Sequence, residues 1–463
     1  MQSRLIFANI WLLLSLVIVG SDLFPETSAV THFIYNVLGL ASYVLCIRTW
    51  LKSGNQFFSI YVIFVLYMMF SHLGQTLLYS FGVPEDLLSL YKWYDRDSIT
   101  HMLGFHLMCP AALNLGTTIY FYRNGNFLSI HQQILNRTQV ISDNKCHEPL
   151  LDLVLIISLL FAAYKAVEFW TIRRTLSYAD YFESRTVDGG FFVVVPLILS
   201  IVLSIRYVLI GKYRKYIYSV WGAIILIYMI GGSRSAVIPY IGVFSVILPM
   251  THPHLFTRKK IFLWLVVVFF AFAMLSIIST NRTETVSTAV LASNQSILTS
   301  AMDTMAEMGG SALTTVLSIQ AVDSGVLPHY QTNLFFILAC ILPASFVEFI
   351  TGMDNIQLAA WITDYAGSNW SGLGYSCVAE AYVNYGTIGW IWFIVYGFVI
   401  TWMECYAYKN IAKGNYFIPA LFLYILASAI FYARAEIYSY QGAVRYCFYI
   451  WIIYMFLRHL KVR

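Results

Sequence analysis

Long hydrophobic runs alternate with short polar segments along almost the whole chain of 463 residues. Each run holds about 17 to 25 mainly apolar residues, the length that a helix needs to cross roughly 30 Å of hydrocarbon. The twelve runs lie near 5–20, 30–50, 57–80, 99–122, 150–170, 190–209, 214–231, 234–250, 260–279, 383–405, 416–433 and 443–458. Because the runs are continuous and do not alternate residue by residue, they exclude a β-barrel. The pattern predicts an all-α polytopic membrane protein with about twelve transmembrane helices.

The charges between these runs predict how the chain is oriented. Basic residues gather in alternate connections, and these lie at 48–52, 123–145, 206–215, 258–260, 409–413 and 458–463. Short connections rich in Lys and Arg stay in the cytoplasm. The first run has no small-residue cleavage site and is interpreted as a retained anchor. Both termini are therefore predicted to be cytoplasmic.

Composition narrows the class of protein further. The chain is 59% hydrophobic and only 11% charged, whereas an ordinary soluble domain is about 25% charged. The net charge of +5 follows the cytoplasmic loops and gives no reason to expect nucleic acid as a partner. Seven scattered cysteines show no metal-ligand spacing, and no phosphate-binding loop or dinucleotide fingerprint is present. We therefore expect neither a metal nor a nucleotide cofactor.

The connection from 280 to 382 differs from the others because it is long and contains a single basic residue, Arg282. A long segment with so little positive charge is predicted to be extracytoplasmic. Its apolar part, 333–350, contains Pro343 and Glu348 and is interpreted as a re-entrant or interfacial helix. The predicted division is a bundle of about nine helices over 1–279, the extracytoplasmic loop over 280–382, and about three helices over 383–463.

The same loop mixes carboxylates with aromatic side chains. Aromatic rings can cover the apolar C–H faces of sugars, and carboxylates accept hydrogen bonds from sugar hydroxyls. This mixture predicts a carbohydrate site, with Trp361, Trp370 and Tyr375 as the candidate glycan contacts.

Three arginines at turns between hydrophobic runs are the candidate anion-binding residues. Arg234 lies in the glycine-flanked turn 231–235, and Arg434 and Arg445 bracket the last predicted outer turn. Charged groups at membrane depth are costly unless they are paired or face water, and a guanidinium matches the paired oxygens of a phosphate. Arg234 could instead extend to the interface. Arg434 and Glu436 are two positions apart and cannot share a helix face, so at least one is expected to meet a neighbouring span, and a structural ion pair is the alternative there. Arginines at the membrane boundary and sugar-binding groups in the long outer connection together predict a lipid-linked saccharide as the substrate.

Three segments then resemble a known family. They are Glu307 to Ser311 (EMGGS), Gly372 to Ser376 (GLGYS) and Ala379 to Gly386 (AEAYVNYG). In this order, the segments resemble the Wzy family of O-antigen and capsular polysaccharide polymerases.

The resemblance implies a GT-C-like multi-helix fold and a metal-independent glycosyltransferase in the bacterial inner membrane. The growing glycan on undecaprenyl diphosphate would be moved onto a new lipid-linked repeat unit at the outer face. Glu380 or Glu307 would orient or deprotonate the acceptor hydroxyl, and the alternative for both is a loop or helix-cap hydrogen bond. The expected partners are the lipid-linked glycans, membrane lipid and a regulator of chain length.

Two other functions stay open on the sequence. An O-antigen ligase differs from a polymerase only in its acceptor. A transporter of repeat units would carry charges deep within several spans and short outer loops, whereas most charges here lie at the predicted outer boundary.

Overall fold

The computed structural model describes residues 2–20, 27–124, 149–175, 190–231, 233–256, 260, 297–327, 332–352, 357–367 and 373–461. Every regular element in these residues is a helix. The first nine α-helices are α1 (Gln2–Gly20), α2 (Ala29–Lys52), α3 (Ile60–Ser80), α4 (Ser89–Trp93), α5 (Arg96–Asn124), α6 (Pro149–Arg173), α7 (Phe191–Ile210), α8 (Arg214–Ile230) and α9 (Arg234–Thr251).

The remaining α-helices are α10 (Ile297–Met308), α11 (Ser311–Asp323), α12 (Thr332–Ala339), α13 (Ala344–Thr351), α14 (Leu358–Ala366), α15 (Cys377–Tyr385), α16 (Ile391–Ala412), α17 (Phe417–Ala429) and α18 (Gln441–Lys461). Short 3-10 helices occur at Glu85–Leu87, Pro253–Leu255, Gly386–Ile388, Ile430–Arg434 and Ile437–Tyr440. Local sequence signals explain where several of the helices begin or end. The Ser59 side chain accepts a hydrogen bond from the Val62 N–H and caps α3, and Gly211 ends α7 in the left-handed conformation.

Within the described residues, eight helices are long and apolar enough to cross a membrane. They are α1, α2, α3, α5, α6, α7, α16 and the stretch Phe417–Arg434. These confirm a polytopic all-helical membrane protein. The predicted spans at 214–231, 234–250 and 443–458 are α-helices but are not among the eight. The predicted span at 260–279 lies outside the described residues except for residue 260. The count of twelve stays a prediction.

The predicted span 383–405 begins later than the hydrophobic run suggests. Residues up to Tyr385 belong to the separate helix α15, and α16 begins at Ile391. Gly386 has a positive φ of 61°, and a Cβ atom on Gly389 would clash with the Ala381 carbonyl oxygen. The two glycines therefore break the run into two helices, a change that hydropathy alone does not detect.

The chain forms two compact units. The first comprises Met1–Ser129, Met305–Cys405 and Ala429–Arg445, and the second comprises Ile130–Thr304, Tyr406–Ser428 and Tyr446–Arg463. In the first unit α5 packs against α1 and α2, and α11 packs against α15. In the second unit α6 packs against α7 and α8. These units are defined by which helices pack together. The predicted division into 1–279, 280–382 and 383–463 is instead based on which residues are expected in the membrane and which outside it.

The apolar segment 333–350 forms two helices, α12 and α13, of eight residues each. Pro343 stands at the N-cap of α13. A helix of this length extends only about 12 Å, so neither helix could cross roughly 30 Å of hydrocarbon. Placement of this pair as a re-entrant or interfacial element stays a prediction.

Candidate functional site

The turn between α17 and α18 is the best candidate for an anion site in the first unit. It consists of two 3-10 helices, Ile430–Arg434 and Ile437–Tyr440, joined through extended backbone at Ala435 and Glu436. Together with the first residues of α18 it forms what we call the 430–445 segment. This segment carries two of the predicted arginines, Arg434 and Arg445.

Two buried carboxylates hold the 430–445 segment in place. Glu380 on α15 is fully buried, and its Oε2 accepts a hydrogen bond of 2.9 Å from the Ile437 N–H. Glu436 is also buried, and its Oε2 accepts a hydrogen bond of 2.6 Å from the Leu358 N–H. Burial raises the pKa of Glu436 to about 7, and hydrogen bonds from the Leu358 and Ala359 N–H groups oppose that rise. The carboxylates thus connect the segment to α15 and α14.

Glu436 meets a neighbouring helix, because its carboxylate accepts a hydrogen bond from the N–H of Leu358, the first residue of α14. The half-buried Arg434 side chain makes no hydrogen bond or ion pair with any residue that the structure describes. The Arg445 Nε donates a 2.9 Å hydrogen bond to the Ala339 carbonyl, and its two terminal nitrogens have no partner in the described part of the chain. Both guanidinium groups therefore keep donors that suit phosphate oxygens.

Arg234, the third predicted arginine, is the first residue of α9 in the second unit. Its side chain lies outside the described residues, so anion binding by Arg234 stays a prediction. The preceding glycine has a packing role. A Cβ atom on Gly231 would clash with the Phe169 ring, and its carbonyl accepts a 3.0 Å hydrogen bond from Arg173 Nε. Close helix packing thus explains Gly231 without any ligand.

The predicted glycan contacts lie in different environments. Trp361 on α14 stacks on Tyr365, with ring centroids 5.0 Å apart and planes at 11°, and Tyr365 is exposed. Tyr375 instead lies in the core, where its hydroxyl is 2.9 Å from the Ser318 hydroxyl. Trp370 lies outside the described residues. The sequence analysis missed Tyr365 as a partner of Trp361, although the spacing of four residues on a helix would have indicated it.

The other carboxylate candidate, Glu307, lies near the end of α10 and is half-buried. The glycines that follow it allow two helices to approach closely. A Cβ atom on Gly309 would lie 2.5 Å from the Gln75 backbone nitrogen, and one on Gly74 would lie 2.5 Å from the Met305 carbonyl oxygen. The EMGGS segment therefore brings Glu307 against α3 of the first unit.

A buried polar network that the sequence analysis missed joins α3 to α15. His72 Nδ1 lies 2.9 Å from the Met68 carbonyl oxygen, and His72 Nε2 lies 2.8 Å from Ser376 Oγ. Because a carbonyl oxygen can only accept, Nδ1 donates, and in the neutral ring Nε2 accepts from the Ser376 hydroxyl. Ser376 Oγ also accepts from two N–H groups of α15 and so caps that helix. The partners are 304 positions apart, so no local signal connects them.

The family model described as O-antigen polysaccharide polymerase Wzy matches residues 7–462. Searches of curated proteins and of solved structures each find no similar protein. The match covers essentially the whole chain, and the family implies a glycosyltransferase-type polymerase reaction on lipid-linked glycan repeat units. The chain therefore belongs to the O-antigen polysaccharide polymerase Wzy family.

Proposed function

We propose that this polymerase transfers the growing glycan from undecaprenyl diphosphate onto a sugar hydroxyl of a new lipid-linked repeat unit. The acceptor oxygen forms a bond to the anomeric carbon, and the bond from that carbon to the diphosphate oxygen breaks. The electron pair of the broken bond leaves with the diphosphate, and the hydroxyl proton passes to a base. The observation that carries the proposal is the 430–445 segment, where Arg434 and Arg445 offer donors that no described residue uses.

The arginines would act on the leaving group. Negative charge grows on the diphosphate as the glycosidic bond breaks, and fixed cations in a site of low dielectric stabilise that charge without reorganising. Rigidity matters for this role. The segment that carries Arg434 is connected to neighbouring helices through the buried carboxylates of Glu380 and Glu436. We keep Arg234 as a third candidate for diphosphate binding.

The two carboxylate candidates receive different roles in the proposal. Glu380 is buried and accepts a hydrogen bond from the Ile437 N–H, which suits a positioning residue that holds the 430–445 segment. Glu307 is only half-buried, so we assign to it the orientation or deprotonation of the acceptor hydroxyl. The glycan would bind on the stacked rings of Trp361 and Tyr365, with Trp370 as a further candidate. Tyr375 is omitted because of its place in the core.

The cellular setting is part of the proposal. The distribution of basic residues supports a bacterial inner-membrane protein with about twelve spans, both termini in the cytoplasm and the 280–382 connection outside. A GT-C-like arrangement and an interaction with a regulator of chain length follow from the resemblance described above. A reporter active only outside the cytoplasm should be active when fused at Ser324 and silent when fused at Lys212. The reverse result would overturn this orientation.

The test of function is the glycan pattern of a deletion strain. Loss of a polymerase should leave one repeat unit on the lipid A core, and the parent gene should restore the ladder. Complete loss of attached glycan would indicate a ligase or a transporter instead. With purified protein and lipid-linked repeat units, chain extension should continue in excess chelator. Activity lost on chelation and restored by magnesium or manganese would contradict the metal-independent step.

Arg234 needs a separate test in the same strain. Arg234→Lys keeps the charge but loses the planar donor fork, so it should shorten the ladder, and Arg234→Ala should nearly abolish it. A full ladder from the alanine variant at normal protein level would remove Arg234 from the site.

A further inference from the structure

The helices α12 and α13 form a hairpin with an apolar inner face and an apolar outer face. On the inner face, Phe335, Ala339 and Val347 are buried together. The outward-facing apolar residues are Ile337 (52% exposed), Ile341 (50%), Phe346 (48%), Phe349 (85%) and Ile350 (51%). We call these five residues the hairpin apolar face. Exposure of this kind on neighbouring residues marks a surface that contacts lipid or a ligand.

The hairpin is too short and too apolar to serve as an ordinary loop or as a span. Phe346, Phe349 and Ile350 are spaced three and four residues apart, so they share one side of α13. Between Thr332 and Thr351 the only charged residue is Glu348. The outer side of the hairpin therefore offers apolar side chains to long hydrocarbon chains.

This surface adjoins one of the candidate diphosphate ligands. Arg445 Nε donates its 2.9 Å hydrogen bond to the carbonyl of Ala339, the last residue of α12. Arg445 also lowers the pKa of the adjacent Cys340 thiol, although burial dominates and raises that pKa to about 12. Ile337 and Ile341 flank these two residues. The hairpin apolar face would thus begin beside an anion bound at Arg445.

We propose that the hairpin apolar face binds the polyisoprenoid chain of the lipid-linked substrate. The inference rests on the proposed function, because it takes the diphosphate to lie at Arg445. In such a substrate the hydrocarbon begins directly after the diphosphate, so a site for one needs an apolar surface adjoining the site for the other. Bilayer acyl chains share the hydrocarbon chemistry, but they lack the diphosphate that would match the donors of Arg445.

Binding of undecaprenyl diphosphate and of geranyl diphosphate to the full chain in lipid nanodiscs tests the proposal. The readout is the ratio of the two dissociation constants, since the compounds share a diphosphate and differ in chain length. Phe349→Ser and Phe346→Ser should each reduce the preference for the long chain by about threefold to tenfold, because an aromatic contact is lost. Phe81→Ser is the matched control, because Phe81 is 78% exposed in the same unit but outside the hairpin.

The outcomes separate the two proposals. Arg445→Gln should weaken binding of both compounds and leave their ratio unchanged. An unchanged ratio in both hairpin variants would show that bilayer lipid alone covers this face, and an equal fall in Phe81→Ser would show a nonspecific effect. Either result overturns the inference.

A lower ratio in the hairpin variants with no effect of Arg445→Gln would retain the chain site and remove Arg445 from the proposed function. Phe349→Ala serves as the replacement if the serine variant does not fold.

Discussion

Helix α15 and the 430–445 segment contact each other, but the polar side chains of α15 and the two arginines of the segment are used in opposite ways. On α15, the Glu380 carboxylate, the Ser376 cap and the Asn384 amide all bond within the protein. In the 430–445 segment, Arg434 has no polar partner among the described residues, and Arg445 donates through one of its three nitrogens to that part of the chain. The family-like sequence of α15 therefore supports the fold, and the 430–445 segment offers donors that no described residue uses.

The two kinds of residue stabilise different things. A buried carboxylate that accepts a backbone N–H stabilises a particular chain path, and its removal leaves that donor without a partner. A half-buried guanidinium that no described residue engages contributes little to such a path, but it can bind an anion. Stability should consequently respond mainly to the buried carboxylates, and turnover most strongly to the arginines.

Arg434→Ala should give the largest effect on turnover. Loss of a fixed donor to the leaving group should lower the polymerisation rate by about 100-fold or more, with thermal stability unchanged because no described residue depends on this side chain. Arg434→Lys should recover only part of the rate. Rate measurements with purified protein and lipid-linked repeat units provide the check, and Arg48→Ala, an exposed arginine of α2, provides the control. A fully active alanine variant would remove the contrast between the two regions.

Glu436 should make stability depend on pH. Its pKa in the folded protein is about 7, above the ordinary value of 4.5, so the folded protein binds this proton more tightly than the unfolded one. The stability that the proton contributes is complete below about pH 4.5 and is lost as pH rises through 7, by up to about 3 kcal/mol. Thermal unfolding measured from about pH 4 to about pH 8 detects the change, because this interval contains both the folded and the unfolded pKa of Glu436. Glu436→Gln should remove most of this dependence, and an equal dependence in that variant would assign it to another group.

Glu380→Ala should lower stability, because the Ile437 N–H would be left buried without a partner. The expected loss is about 1–3 kcal/mol, and turnover should fall with it as the 430–445 segment shifts. Glu380→Gln keeps a carbonyl oxygen that can accept the same hydrogen bond, so it should retain most of both properties. Parallel unfolding and rate measurements decide between roles. A stable Glu380→Gln variant with almost no turnover would instead support Glu380 as the base.

Trp361→Ala should produce the smallest effect. Removing one ring of the Trp361–Tyr365 stack should raise the KM for the acceptor by about threefold to tenfold, since an aromatic contact is worth about 0.5–1.5 kcal/mol. The rate at saturating acceptor should stay close to that of the parent protein. Trp402→Ala is the control, because Trp402 is 42% exposed on the membrane-spanning helix α16. A lower maximal rate without a change in KM would argue against a binding role.

Much of the helical pattern could be predicted, because it depends on local properties of the chain. The predicted runs 30–50 and 190–209 agree with α2 and α7 to within a few residues, and hydrophobic length together with capping residues suffices for this. The division at Gly386 and Gly389 was missed because α15 is itself apolar. Its burial arises from packing against α11, a partner that the hydropathy of the run does not indicate.

The amino-acid sequence alone shows which residue types are available for chemistry: arginines at the turn after α17, carboxylates and aromatics in the long connection, and glycines in the EMGGS segment. Only the tertiary structure decided how each one is used. Glu380 meets the Ile437 N–H across 57 positions, and His72 meets Ser376 across 304. Such pairings arise when separate helices pack, and burial then decides whether a polar group supports the backbone or stays available to a substrate.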